Sequence, residues 1–177
     1  MKNRKEISTK LAVAVAHKLV EELREVCARI EIAGSLRRGK EAVHDIDIVA
    51  LPKSSSTDIL QGSQTPLGDV LRRLIDRGSL TPVRDGEKIK CFVAAKTGIP
   101  IDIYIATEDT WATLLVIRTG SKSHNVRLAQ KARQLGMRLR ASGDGLENSK
   151  GELVRIQTEQ DIYALLGLEY LPPEKRD

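Results

Sequence analysis

The stretch IAGSLRRGKEAVHDIDIVA, Ile32 to Ala50, carries two features that seldom share one segment. Gly34-Ser35 leads into the Arg37-Arg38 pair and a Gly39-Lys40-Glu41 turn. Asp45 and Asp47 then sit inside an apolar run that ends at Pro52. The run reads as a β-strand stopped by the proline. Side chains two apart on a strand leave from the same face, so two carboxylates stand side by side. Like charges at that spacing repel, and burying them unpaired is costly. Something positive belongs between them.

A third acid occurs in the same setting. IPIDIYI places Asp102 among Ile101, Ile103 and Ile105. If that strand pairs beside Val43–Leu51, three carboxylates converge on one patch. Oxygen donors on a sheet face are what magnesium prefers, and two such ions can activate an attacking oxygen and stabilise a leaving one. The bland alternative pairs each aspartate with an arginine or turns it to water. It suits one acid in one strand better than three, each flanked by apolar residues. Upstream, Gly34 permits close backbone approach and Ser35 opens a short helix reaching about Ala42. Backbone N–H groups at a helix start, the Ser35 hydroxyl and a guanidinium from Arg37 or Arg38 can hold a phosphate. Alone, Gly-Ser-x-Arg-Arg is an ordinary basic turn. Followed by Asp-Ile-Asp, it reads as a phosphate cradle beside a two-metal carboxylate patch, which is the layout of a nucleotidyl-transfer site.

The rest of the chain supplies a frame. A helix capped by Ser8 or Thr9 runs to about Ala28, and RIEIAG is a short strand ending at Gly34. KSSSTDILQGSQTPLGD, residues 53–69, reads as a polar surface loop. PLGDVLRRLIDRG is a helix with Pro66 near its start and Gly78 past its end. Strands LTPVRD, EKIKCFVAA and IPIDIYIA follow, turned at Asp85-Gly86 and Thr97-Gly98. From Glu108 the signals become helical: EDTWATLLVIRTG, SKSHNVRLAQKARQLG and TEQDIYALLG. The expected fold class is α+β, with a mixed sheet and helices over residues 1–106 and a small, mostly helical unit over 107–177.

Composition narrows the partners. Aromatics make up only 3% of the 177 residues, too few for a protein that reads single strands by stacking bases. A net charge of +5 suits a polyanion, or simply aids solubility. Cys27 and Cys91 lie far apart with no ligand spacing near either, so they read as small core residues in a reduced, cytoplasmic compartment rather than a zinc site. The polar N-terminus is no signal peptide, and no apolar run spans a bilayer.

With these residues in hand, the sequence resembles the DNA polymerase X family of nucleotidyltransferases, which includes DNA polymerase beta. The matching strings are GSLRRGKEAVHDIDI, IDIYI, RTGSKSHN (Arg118–Asn125) and DIYALLGLEYLPPEKR (Asp161–Arg176). The resemblance implies a palm followed by a thumb that binds the nascent base pair. It implies that Asp45 and Asp47 bind both of two Mg²⁺ ions, with Mn²⁺ substituting. Asp102 would bind the catalytic one and help deprotonate the primer 3′-hydroxyl. Gly34, Ser35 and Arg38 would serve the β- and γ-phosphates of a dNTP. Thr119, Gly120 and Ser121 would form the turn beneath its sugar, and Asn125 would approach the base. Lys122, His124, Arg127, Lys131 and Arg133 become candidates for gripping DNA.

The resemblance also implies departures. Only 33 residues precede Gly34, so neither the family's lyase domain nor its helical DNA-binding subdomain is expected, and the chain resembles the minimal members. Ile117-Arg118 stands where many relatives carry an aromatic pair crowding the sugar 2′ position, which predicts weaker exclusion of ribonucleotides. Ala129 replaces an arginine that some relatives place near the template, which predicts low fidelity. The expected function is short-gap filling in DNA repair on a primer-template or gapped duplex, by a monomer without membrane association. A template-independent transferase acting on another acceptor, and a non-enzymatic binding module on a dead palm, are the competing readings. His44 and His17 read as surface residues, His124 stays open between contact with nucleotide or DNA and none, Trp111 reads as a core anchor, and the capping box Thr158–Asp161 as structural.

Overall fold

The computed structural model describes residues 7–53 and 65–177. In chain order these form β1 (Ile7–Ser8), α1 (Thr9–Arg24), β2 (Cys27–Ile32), α2 (Gly34–Arg37), β3 (Ala42–Val43), β4 (Ile46–Pro52) and α3 (Pro66–Asp76). Next come β5 (Leu80–Asp85), β6 (Ile89–Ala94), β7 (Pro100–Ile105), α4 (Trp111–Thr119) and α5 (Lys122–Gln134). The chain finishes with β8 (Arg138–Leu139), β9 (Leu146–Glu147), α6 (Glu159–Leu165) and a 3₁₀ turn at Pro173–Lys175. The fold is α+β.

The main sheet has five strands in the order β2-β4-β7-β6-β5, parallel between β4 and β7 and antiparallel elsewhere. Alternation along β4 sends side chains to two different cores. Ile46, Ile48 and Ala50 pack with Ile101 and Ile103 against Leu19 and Leu23 of α1 and Leu67, Leu71 and Leu74 of α3. Val49 and Leu51, on the opposite face, pack against Trp111, Leu115 and Val116 of α4 together with α5 and α6 residues such as Leu128 and Ile162. Asp47 and Asp102 share this second parity, near the N-terminal ends of their strands. Trp111 is 3% exposed, and the Arg29 guanidinium lies 4.6 Å from its ring centroid.

Three expectations about element ends are corrected. α1 stops at Arg24, short of Ala28, because Cys27 already pairs with Pro52 in the sheet and β-pairing overrides the helix-forming side chains. Ser8 stands at the N-cap without a side-chain bond, while the Thr9 hydroxyl donates to the Lys40 carbonyl at 2.9 Å. α2 is a single turn of four residues that ends at Arg37, because Gly39 at φ +70° turns the chain toward β3. β3 pairs with β1, through Ile7↔Val43 and Ser8↔Ala42. The helix at Pro66, the three strands after it and the three later helices stand as read, with Thr65 capping α3 by accepting from the Gly68 N–H at 3.1 Å. Residues 54–64 of the polar segment read as a loop lie outside the described residues.

Candidate active site

Strand register brings the acids together. Asp47 is the direct partner of Asp102 in the parallel β4–β7 pair, and Asp45 stands just before β4, two residues from Asp47. Gly34 passes over them. Its amide environment is tight: φ is +62°, and a Cβ there would collide with the Asp47 carboxylate. This is why glycine is required. The preceding Ala33 N–H donates to the Asp47 carbonyl at 2.8 Å, pinning the turn to the strand.

The electrostatics record the crowding. Burial and then the charges of Asp45 and Asp102 push the Asp47 carboxyl up to about 7, against a hydrogen bond from Tyr104 and the positive Arg118. Burial and the neighbouring Asp47 raise the Tyr104 phenol, which stays protonated and serves as a donor. The Arg118 guanidinium stacks over the Tyr104 ring at 4.2 Å and donates to the Ser142 carbonyl at 3.0 Å. Across the sheet, Cys91 is the register partner of Asp102; burial and the contact with Asp102 push its thiol up to about 11, which favours the thiol over the thiolate. Tyr104 follows Asp102 by two residues on one strand. The period of two could have found it, because i and i+2 share a face.

A charge imbalance of this kind suits a hard divalent cation with oxygen ligands. The patch is not a closed cage: among the described residues, no group of three or more His, Cys, Asp or Glu side chains is drawn together tightly enough to hold a metal by itself. The donor type, the convergence and the raised Asp47 carboxyl all fit a cation.

The raised carboxyl makes a stability prediction. Unfolded, Asp47 loses its proton near pH 4; folded, near pH 7. Between those values the native state holds a proton that the unfolded state has released, so stability falls as pH rises from about 4 to 7. Above pH 7 the whole cost, on the order of a few kcal/mol, is present. In chelator, the Asp47→Asn protein is expected to melt higher than the parent at pH 8 and nearly equal to it at pH 4. Parallel melting curves for the two proteins across this range would rule the charge effect out.

Two clefts meet at His44 and Asp45. One, of about 390 Å³, is lined by Gly34, Ser35, Arg38, Lys40, Asp47 and Arg118, with Gly120, Ser121 and Lys122 closing the rim. The other, of about 670 Å³, runs past Asp102 and Cys91 and is walled by apolar residues including Leu11, Val83 and Phe92. His44 is exposed between them, as the sequence reading has it. Lys40 also lines the first cleft, a place the sequence reading does not assign it.

Several candidates are placed elsewhere than expected. Arg37 is not a free phosphate donor: it forks onto both Glu159 oxygens at 2.8 Å and onto the Thr119 hydroxyl at 2.9 Å. Thr119 is fully buried, so its side chain faces no ligand. Its carbonyl accepts from Arg38 Nη1 at 2.6 Å, which aims Arg38 along the cleft. Ile117 is 7% exposed and belongs to the second core, leaving Arg118 alone of the pair at the cleft. His124 is corrected as a DNA contact: it is 1% exposed, hydrogen-bonds the Tyr163 hydroxyl at 2.8 Å, and burial lowers its pKa. Asn125 spends its amide on the Ile117 carbonyl at 2.8 Å and its oxygen on His124. Both residues hold the turn between α4 and α5, where a Cβ on Gly120 would strike them. The Ser121 hydroxyl caps α5 by accepting from the His124 N–H at 3.1 Å. Lys122, Arg127 and Arg133 are exposed and Lys131 partly so.

The sequence is similar to known proteins. Residues 114–177 match the family model for the DNA polymerase beta thumb. Over 171 residues the chain is 29% identical to a DNA polymerase/3′-5′ exonuclease PolX of Bacillus subtilis (strain 168), covering 94% of this chain and 28% of that protein. It is 27% identical over 161 residues to DNA polymerase lambda of Rattus norvegicus, covering 81% of this chain and 28% of that protein. The chain thus spans less than a third of the length of these curated relatives. The thumb match, the two polymerase relatives and the Gly-Ser turn over paired aspartates all support one likeness: the chain is similar to DNA polymerases of the X family, of the DNA polymerase beta kind.

Proposed function

We propose that the chain is the catalytic portion of a DNA-directed DNA polymerase that joins a dNTP to a primer 3′-hydroxyl, with residues 1–106 as palm and 107–177 as thumb. The observation that carries the reading is that Asp45 and Asp47 line a cleft with Ser35, Arg38 and Lys40, while Asp102 is the register partner of Asp47 and opens on the adjoining cleft. Asp45, Asp47 and Asp102 would hold two Mg²⁺ ions, with Mn²⁺ substituting. When bound, the ions lower the pKa of the attacking hydroxyl and offset charge on the phosphates.

The protein's own part is positioning and electrostatics, which is most of what phosphoryl-type transfer asks of it. Asp102 lies toward the wider cleft and is placed to receive a proton from a primer end seated there. Ser35 and Arg38 border the narrower cleft and are placed for the β- and γ-phosphates, with Lys40 beside them. Tyr104 and Arg118 steady Asp47. Gly120 and Ser121 offer a floor for the sugar. Lys122, Arg127, Lys131 and Arg133 supply phosphate contacts to the duplex, so affinity should fall steeply with salt. The substrate we favour is a short gap in duplex DNA during repair, used by a monomer. No helix among the described residues is long and apolar enough to cross a membrane, and we place the protein in the cytoplasm, nucleoid or nucleus with its DNA.

The test is single-nucleotide extension on a one-nucleotide-gapped duplex, each dNTP and rNTP offered separately with magnesium and then manganese. We expect addition to follow the template base. We expect rNTP addition to trail dNTP addition by less than about 10²-fold, since only Arg118 of the pair borders the cleft. Addition indifferent to the template would establish a terminal transferase instead. No addition with either metal would overturn the polymerase reading.

A further inference from the structure

We propose that the Asp177 carboxylate competes for the phosphate subsite, so that a nucleoside triphosphate must displace it from Arg38 and Lys40. The inference rests on the reading of Arg38 and its neighbours as the triphosphate cradle.

Asp177 Oδ1 lies 3.3 Å from Arg38 Nε, and its Oδ2 pairs with the Lys40 ammonium. A carboxylate between a guanidinium and an ammonium presents the charge and oxygens that a phosphate would bring. The backbone delivers it there firmly. Arg176 is wholly buried, with its Nε donating to the Leu171 carbonyl at 2.8 Å. The Arg176 carbonyl accepts from the Ser121 N–H at 2.9 Å, and Arg127 Nη2 donates to the backbone oxygen of Asp177 at 2.5 Å. Ser121 borders the same cleft as Arg38 and Lys40. Arg176-Asp177 is therefore stapled to the cleft rim by contacts that do not involve the Asp177 side chain.

The fit on Arg38 is incomplete, which leaves room for a better ligand. Arg38 Nε is within ion-pair distance of Asp177 but makes no hydrogen bond of good geometry among the described residues. Asp177 is half exposed, whereas Arg38 is only 14% so. A carboxylate brings one negative charge. A triphosphate brings several, with oxygens free to align with both cations, so it displaces the carboxylate where orthophosphate meets a nearer equal. Asp177 would then weaken every phosphate ligand of the subsite by a common factor and cover it again as pyrophosphate leaves.

An opposite role is conceivable in chemistry, with Asp177 orienting Arg38 for the ligand, and it predicts the opposite sign. Binding of inorganic tripolyphosphate, followed by calorimetry without metal, separates the two in the full chain. Asp177→Asn keeps the staples and should bind tripolyphosphate about three- to tenfold more tightly, with an unchanged melting temperature. Unchanged or weaker binding in this variant, while Arg38→Gln and Lys40→Gln still lose affinity, overturns the competitor. If Arg38→Gln and Lys40→Gln bind as well as the parent, the cradle reading itself falls and takes this inference with it.

Discussion

Asp102→Asn is expected to lower nucleotidyl transfer about 10³-fold or more, a loss of about 4 kcal/mol of transition-state stabilisation, while the protein stays folded. The substitution is nearly isosteric, and Asp102 is only partly buried at the end of β7. Its register partners Asp47 and Cys91 keep their places through backbone pairing. What is lost is the charge. Asp102 would contribute both a cation ligand and the acceptor for the hydroxyl proton, and an amide does neither. Stability should move the other way. The Asp102 charge helps push Asp47 up, so removing it relieves repulsion and the variant should melt no lower than the parent in chelator at pH 8. Single-turnover extension and a melting curve on one preparation check both halves. Activity within tenfold of the parent would move the chemistry away from this patch. A lost fold, rather than lost chemistry, would show as a lower melting temperature.

That pairing of acids was readable because it depends on one local rule. Alternation through an extended run predicts Asp45 and Asp47 on one face, although β4 itself begins at Ile46, and the isoleucines around Asp102 mark a strand buried on the other. Once β4 and β7 are neighbours, the register follows. The reach of α2 was not readable, since Ser-Leu-Arg-Arg can continue a helix and only the positive φ of Gly39 stops it. The burial of His124 and the pairing of Arg37 with Glu159 are not readable for a different reason. The partner of His124, Tyr163, is 39 positions away, and Arg37 finds Glu159 at a separation of 122. No periodicity within a window reports a contact of that kind. A basic residue next to a phosphate motif looks the same in sequence whether it faces the ligand or the core.

The Arg37 contact belongs to a buried network whose loss carries the largest expected cost in stability. Glu159 is 8% exposed and accepts from Arg37 and, at 2.6 Å, from Arg176 Nη1. Burial alone would raise its pKa, but the bonds from Arg37 and Arg176 outweigh it and hold the carboxylate below its ordinary value. The stability it contributes is present above the unfolded value and is lost as pH falls through the folded one. Glu159→Ala is expected to destabilise the fold by about 3–5 kcal/mol in urea unfolding. Most of that cost falls on Arg176. It is fully buried, stacked 5.5 Å from Tyr163 and 5.3 Å from Tyr170, and its Nη2 already has no hydrogen-bond partner among the described residues. Arg37, 21% exposed, can recover some water. Removing the acid therefore strands one charge deeply and frees the turn that carries Arg38. Glu159→Ala paired with Arg176→Met should recover much of the loss, since the stranded charge is then gone. If the double variant is as unstable as the sum of the singles, the network acts by filling space rather than by balancing charge. The position of Arg37 then separates stability from function. A variant that folds again without Glu159 should still bind tripolyphosphate less tightly, because the α2 turn no longer has its anchor across to α6.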